Sequence, residues 1–360
     1  MRFPAPLVAS CWIFFAACEG TEAAARPDAR ASAEAGSLEA RVGDAARTTR
    51  GVVWITYDVP VNDPDALLCC FDSFDEAKRN GWRGGRCSLE SINSTFSSHS
   101  GDDSAAGRIH RTHVSIYLRA DAGRIGEVRA FSPDCPVDAG GPELVRLGEI
   151  DAQASVRYLS RLVDEIPASK ASRGNADEVI AAIAMHRASN VVPALAEIVE
   201  SDRDEELRGQ AAFWLGMKGG VEARVTLERI IDSVPLDELR EQAIAGIAQD
   251  ESREATALLI RMARDHGIAD VRKKSLFWLG QRAGEAVAGE LERAADDPDQ
   301  EVREMAVFSI SQLPREQSIP RLLELARSHR NPGVREQAFL WLGQSGDPRA
   351  LDLFEEILTR

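Results

Sequence analysis

Val271-Arg272-Lys273-Lys274-Ser275-Leu276-Phe277-Trp278-Leu279-Gly280 is one of five versions of the same phrase. The others read Leu207-Arg208…Ala211…Leu215-Gly216, Leu239-Arg240…Ala243…Ile247-Ala248, Val302-Arg303…Ala306…Ile310-Ser311 and Val334-Arg335…Ala338…Leu342-Gly343. Counted from 207, the steps to 239, 271, 302 and 334 are 32, 32, 31 and 32 residues. A stride this regular marks stacked helical units, none of which buries its apolar face alone.

Written as a helix, positions 0, +4, +7 and +8 of the phrase share one side of a 3.6-residue turn. They are Leu207, Ala211, Trp214 and Leu215; then Val271, Ser275, Trp278 and Leu279; then Val334, Ala338, Trp341 and Leu342. The small residue at +4 admits a close neighbour, and the Gly, Ala or Ser at +9 is expected where the helix gives way to a turn. Breakers follow at Gly219-Gly220, Pro314 and Gly346-Asp347-Pro348. Second apolar stripes lie outside the phrase, as in Val192, Leu195, Ala196 and Val199, or Ile319, Leu322, Leu323 and Ala326. Each unit is thus expected to be a helical hairpin, and the array a right-handed α-solenoid. A weaker copy starts at Asn175 with Val179 and Ile183-Ala184 in phase, so six units are expected over 173–360. The fold class is mainly α, with a smaller α+β or mostly β module ahead of it.

The units resemble HEAT repeats, in particular the short bacterial HEAT-like type of phycobilisome-lyase-related proteins. The likeness rests on Val/Leu-Arg-x-x-Ala-x-x-x-Leu-Gly and on acidic turns such as Asp296-Asp297-Pro298-Asp299. It covers about half the chain. For the Arg row (Arg208, Arg240, Arg272, Arg303, Arg335) it implies a structural ladder paired with acidic turn residues, rather than an anion-binding row. Trp214, Trp278 and Trp341 sit within the apolar stripe and are expected to be buried in the core rather than to form a ligand platform.

The formal net charge of the 360 residues is −15. That argues against nucleic acid, which demands clustered Lys and Arg, and against an anionic membrane surface; it suits a basic partner. Residues 1–25 read as an export signal: Arg2 is a minimal positive region, and Leu7–Ala17 is an apolar run too short to span a bilayer. Two endings fit. Phe15-Ala16-Ala17-Cys18 resembles a lipobox with Cys18 as the lipidation candidate, and Ala23-Ala24-Ala25 suits ordinary cleavage. The expected location is the periplasm or a lipid-anchored place in a bacterial envelope, with membrane contact only through such a lipid. The Ala-rich stretch 19–48 reads as a disordered tether.

Residues 50–165 have another character. Gly51–Val61 is rich in β-branched and aromatic residues, and Val114, Ile116 and Leu118 alternate with Ser115, Tyr117 and Arg119. Asp121-Ala122-Gly123 turns the chain into a partner strand from about Arg124 to Phe131, and Val145–Leu147 reads as a short strand. Asp151 is placed to cap a helix carrying Val156, Leu159, Leu162 and Val163. Residues 83–107, rich in Ser and Gly, read as a long loop. The cysteines of this module, Cys69, Cys70, Cys87 and Cys135, form an even set that suggests disulfides in an exported protein. A bond between the neighbours Cys69 and Cys70 is strained, so Cys87 joined to that pair is the favoured bridge. The module loosely resembles one that accompanies HEAT-like repeats in bacterial exported proteins.

No catalytic signature emerges. His110-x-x-His113 falls at a strand entry, there is no Cys-x-x-Cys, no His-Glu, no Gly-x-Ser-x-Gly and no P-loop. The expectation is a binding scaffold without cofactor or metal, for a protein or peptide partner. Arg261, Arg264, Arg293 and Arg327 on the second helices are the candidate contacts. Two other readings stay open: a lyase-related enzyme or pigment-handling protein, and thiol chemistry at Cys69-Cys70.

Overall fold

The computed structural model describes residues 36–49, 51–61, 87–90, 112–133, 135–165, 173–233, 237–282 and 284–358. The larger compact unit is Leu38–Arg360. The export signal, Cys18, Cys69 and Cys70 lie outside the described residues.

The N-terminal part is a four-stranded sheet of order β4-β3-β1-β6, built from β1 (Val53–Pro60), β3 (His113–Asp121), β4 (Arg124–Phe131) and β6 (Glu143–Glu149). β1 runs antiparallel to β3 and parallel to β6. The β3–β4 hairpin turns at Ala122 and Gly123, both with positive φ (48° and 81°), the conformation a tight two-residue turn requires. β1 is buried on both sides, which fits its richness in β-branched and aromatic residues. Val53, Ile55, Tyr57 and Val59 face the main core, while Trp54 faces a second, smaller core. That smaller core holds Cys87, Leu89, Tyr117, Phe131 and Cys135. The segment read as a loop carries a short strand, β2 (Cys87–Ser88), paired in parallel with β5 (Val137–Asp138). Cys87 and Cys135 are each disulfide-bonded in the structure.

Two helices flank the sheet. α2 (Ala152–Glu165) is capped by Asp151, whose carboxylate accepts from the Ala154 N–H at 2.8 Å. α1 (Leu38–Thr48) corrects the reading of 19–48 as a tether: its last eleven residues are helical. Leu38, Val42 and Ala46 recur every four residues and are buried in the main core. The Ala-rich composition hid this short stripe.

Six helical hairpins follow in chain order. They are α3 (Arg173–Met185) with α4 (Val191–Glu200), α5 (Glu205–Lys218) with α6 (Gly220–Ser233), and α7 (Asp237–Gln249) with α8 (Arg253–Asp265). Then come α9 (Ala269–Gly280) with α10 (Glu285–Ala294), α11 (Gln300–Gln312) with α12 (Arg315–Ser328), and α13 (Pro332–Ser345) with α14 (Pro348–Leu358). Three of the first helices open on side-chain caps: Asp204 accepts from Leu207 N–H, Asp299 from Val302 N–H and Asn331 from Gly333 N–H, while α9 opens at Ile268 without one. The apolar stripes fuse with the helix-facing side of the sheet into one core running from Leu38 to Leu353.

The +9 position lies within two residues of the end of each first helix, as expected, and in two units it also serves a close crossing. Gly216 lies inside α5, two residues short of its end. A Cβ there would stand 2.1 Å from the carbonyl carbon of Gly246 on α7, so the glycine is required by a close crossing of two first helices. Gly280 meets Ser309 of α11 in the same way, at 2.8 Å. Gly343 has nothing nearer than 3.9 Å. One motif position therefore serves as a packing notch in units two and four and is free in unit six.

Candidate functional site

The Arg row is structural, but its partners differ from those the resemblance implied. Arg208 Nε donates to Val199 O at 2.9 Å and Arg240 Nε to Ile231 O at 3.3 Å. Arg272 Nη1 donates to His266 O (2.8 Å), Arg303 Nη1 to Asp297 O (2.7 Å) and Arg335 Nη1 to His329 O (2.7 Å). All five acceptors are carbonyls at or just past the end of the preceding unit's second helix, where the last carbonyls lack intrahelical donors and carry partial negative charge. Arg272 also makes a two-pronged pair with a turn carboxylate, that of Asp297, at 2.8 Å for each arm.

The four partner-binding candidates on the second helices are engaged within the array. Arg261 pairs with Glu228, bridging α8 to α6. Arg264 and Arg293 converge on Glu290 of α10, whose side chain is only 1% exposed. Arg327 pairs with Glu356 of α14 at 3.6 Å. Arg229–Glu200 and Arg321–Glu292 extend the same pattern. The second helices are laced to one another by carboxylate–guanidinium pairs, and most of their positive charge is balanced where it stands.

The first helices present a different surface. Trp214, Trp278 and Trp341 are half-buried rather than enclosed, packed against the core by one side only. The rings of units four to six touch in sequence. Phe277 meets Trp278 edge-on with centroids 5.3 Å apart, lies parallel to Phe308 at 6.4 Å, and Phe308 meets Trp341 at 5.2 Å. The Nε1 of Trp341 is buried without a hydrogen-bond partner. A cleft of about 170 Å³ between α11 and α13 is lined by Gln300, Arg303, Glu304, Asn331, Gly333, Val334 and Gln337, and by none of these rings. A larger groove, about 620 Å³, runs between α2 and α4, and there Arg161 pairs with Glu39 and Arg203 with Asp164.

Sequence reasoning missed a polar cluster at the joint between sheet and solenoid. The Tyr57 hydroxyl lies 2.9 Å from Ser155 Oγ, Ser155 Oγ lies 2.8 Å from His186 Nε2, and His186 Nδ1 reaches Ala182 O at 2.6 Å. A neutral imidazole with its proton on Nδ1 satisfies this chain, since Nδ1–H then donates to the carbonyl and Nε2 accepts from serine. Burial pushes His186 down to about 4, against the pull of the Ala182 carbonyl, with Lys218 adding to the effect. Ser155 and His186 are both wholly buried, so the pair is out of reach of a substrate. Nearby, Arg129 on β4 holds Glu178 of α3 and Glu127; burial nonetheless raises Glu178 to about 7. His113 lies beside Glu149 at 3.4 Å, while His110 falls outside the described residues. Among the described residues no group of three or more His, Cys, Asp and Glu is placed to hold a metal ion. Among them, too, no helix is long and apolar enough to cross a membrane.

The hairpin geometry and the repeated capping Arg define a class, a HEAT-like repeat solenoid. Residues 287–360 match the family described as HEAT repeats. No curated protein matches the chain. Solved structures that resemble it include the complex of CpcE and CpcF of phycocyanin lyase from Nostoc sp. PCC7120, with 20% identity, 43% of this chain and 99% of that one covered, and a TM-score of 0.33. Human deoxyhypusine hydroxylase in complex with glycerol gives 18%, 56%, 77% and 0.26 on the same measures. Computationally designed armadillo repeat proteins for modular peptide recognition give 19%, 53%, 92% and 0.28. Likeness at that level carries no argument about ligand or reaction.

Proposed function

We propose that this chain is an exported, non-enzymatic scaffold that binds a protein or peptide partner in a bacterial cell envelope. The observation that carries the reading is the row of half-buried rings on the first helices, aromatic surface left in contact with solvent on an array whose second helices are laced by ion pairs. Export is supported by the N-terminal sequence, with Cys18 as the lipidation candidate, and by disulfides at Cys87 and Cys135, which persist in oxidising compartments. Those two side chains are buried and bonded, which weighs against thiol chemistry at their positions.

The test is cross-linking of the intact protein in its own host's envelope, followed by identification of what is captured and mass spectrometry of the mature N-terminus. A stoichiometric polypeptide partner, together with loss of the first 17 to 25 residues, is the expected result. Intact Met1, or a stoichiometric pigment in place of a polypeptide, would overturn the reading.

A further inference from the structure

The scaffold reading leaves open which surface takes the partner. We infer that the outer face of the last hairpin, along α13 and α14, receives the first helix of another HEAT-like polypeptide, one with Gly, Ala or Ser at +7 and a cation at −1 or +3. The inference rests on the scaffold reading.

An alternation along the array carries it. Units two, four and six have Trp at +7 and Gly at +9: Trp214 with Gly216, Trp278 with Gly280, Trp341 with Gly343. Units one, three and five have a small residue at +7: Ala182, Gly246 and Ser309. From a Trp unit to the next small unit, the first helices cross closely. A Cβ on Gly246 would stand 2.7 Å from Ala212 O of α5, and one on Gly280 would stand 2.8 Å from Ser309 Cβ of α11. Backbones come this near only where side chains are small. From a small unit to the next Trp unit a ring fills the step, as Trp341 does against Phe308. The step after unit six is therefore of the close kind.

The surface for that step is already formed. In units two and four the residues at +5 and +9 are buried: Ala212 with Gly216, and Leu276 with Gly280. In unit six the same positions are Phe339, half-buried, and Gly343, exposed. Leu340 beside them is 49% exposed. On the second helix, Leu351 falls 63 residues after Ala288, the same step as from Trp278 to Trp341. Ala288 is 0% exposed and Leu351 62%. The face is continuous with the unit-to-unit interface, and what covers it in units two and four defines the occupant: a helix with a small residue at the crossing.

The +2 residue narrows the choice. At three successive steps it faces +3 or −1 of the next unit. A Cβ on Gly209 would stand 3.0 Å from Gln242 Cγ, Glu241 pairs with Lys274 at 2.8 Å, and Lys273 pairs with Glu301 at 2.7 Å. In unit six this residue is Glu336, exposed, while the guanidinium of Arg335 turns back to the His329 carbonyl. The small-type units of this chain carry no cation at −1 or +3: they have Gly174 and Glu178, Glu238 and Gln242, Glu301 and Met305. A second copy therefore supplies the small residue without the charge, and a different polypeptide is the better match.

A stapled, fluorescein-labelled helix copying residues 299–314 with Glu301→Lys tests this by anisotropy against the full mature chain. It is expected to bind, and to bind more tightly than the same helix with Glu301 kept. Adding Ser309→Trp to the peptide, or Gly343→Leu to the protein, is expected to cost at least about tenfold in affinity. Glu336→Lys in the protein is expected to reverse the preference between the Lys and Glu peptides. Val221→Ser, on α6, is expected to change nothing. Circular dichroism checks that each variant is folded. No binding, equal binding of the Ser309→Trp peptide, or undiminished binding to Gly343→Leu overturns the inference. So does dimerisation of the chain in sedimentation that Gly343→Leu abolishes, because a second copy would then be the occupant. If Gly343→Leu still cross-links its envelope partner, the end face fails while the scaffold reading survives. If the wild-type protein captures no polypeptide at all, the scaffold reading itself fails.

Discussion

The sheet end and the repeat array solve the same problem, burying apolar surface, by opposite means. The sheet depends on pairings that occur once. Trp54 Nε1 donates to Glu90 Oε1 at 2.8 Å, Arg119 grips the same carboxylate, and Tyr57, Ser155 and His186 form a single chain of hydrogen bonds. The array depends on devices written more than once: a capping Arg in five units, a glycine at a close helix crossing in two, and carboxylates that reach an Arg one unit away. In the first plan the loss of one residue removes the only interaction of its kind. In the second, neighbouring copies carry on, because each unit touches little beyond its neighbours.

Trp54→Ala should show this contrast at its largest. It removes a wholly buried indole and leaves Glu90 to Arg119 alone, a loss of about 3–5 kcal/mol. Hydrogen exchange should accelerate at β1 and β3 while amides of units five and six keep their protection. Equal loss of protection in those units would erase the distinction between the two regions.

Acid titration gives the next largest effect, from two groups of opposite sign at the joint. His186 is neutral when folded and titrates near 4, below its ordinary 6.5. The unfolded chain takes up that proton first, so this contribution is full above about pH 6.5 and is lost as pH falls toward 4. Glu178 titrates near 7, above its ordinary 4.5. The folded chain takes up that proton first, so its contribution is full below about pH 4.5 and is lost as pH rises through 7. Each amounts to about 3 kcal/mol, and between pH 4.5 and 6.5 the slopes largely cancel. Urea unfolding across this range should therefore be nearly flat for the natural protein. Glu178→Gln should lose stability as pH drops, and His186→Gln should gain it. Parallel slopes in the two variants would refute the assignment.

Within the array, two glycines at the same motif position should respond in opposite directions. Gly216→Ala forces a methyl against the Gly246 carbonyl carbon and should destabilise by about 1–3 kcal/mol. Gly343→Ala has room, with Phe354 Cζ at 3.9 Å, and should stabilise the helix by roughly 0.5–1 kcal/mol. Thermal melts of the two variants compare them directly. A common sign would mean that the +9 residue has one role throughout.

The repeat phase was legible because it is written five times over, and the β3–β4 hairpin because Ala122-Gly123 follows a clean alternation. Other features were hidden for physical reasons. β1 alternates between two cores, so apolar residues fall on both of its faces and no polar face marks the exposed side. The parallel partnership of β1 with β6 joins residues such as Val53 and Glu143, and no local pattern encodes it. The +1 Arg looked like a partner for carboxylates, because the charge is visible in a sequence while the unpaired carbonyls at a helix end are not. The Tyr57–Ser155–His186 chain draws on three elements far apart in sequence. One signal was available but unused: Arg229 and Glu200 are 29 residues apart, and Arg261 and Glu228 are 33 apart, close to the repeat length. Charges of opposite sign in phase with a repeat point to ties between units before they point to a partner.

The smallest expected effect tests that last point. Arg261 is 58% exposed and its partner Glu228 38%, so the pair is surrounded by water and screened by salt. Arg261→Ala should change stability by no more than about 0.5 kcal/mol. Arg264 has similar exposure, 50%, but faces Glu290, whose side chain is 1% exposed. Removing it strips one of two guanidiniums from a carboxylate that has little water to turn to, and Arg293 is left to hold it alone. Arg264→Ala should therefore cost measurably more than Arg261→Ala, and Arg264→Ala/Arg293→Ala more than the sum of the two single changes, because only the double variant leaves Glu290 without a cation. Chemical denaturation of the single and double variants reads this out. Additive losses would mean that Glu290 finds solvent, and that the second helices are laced no more tightly than any exposed pair of charges.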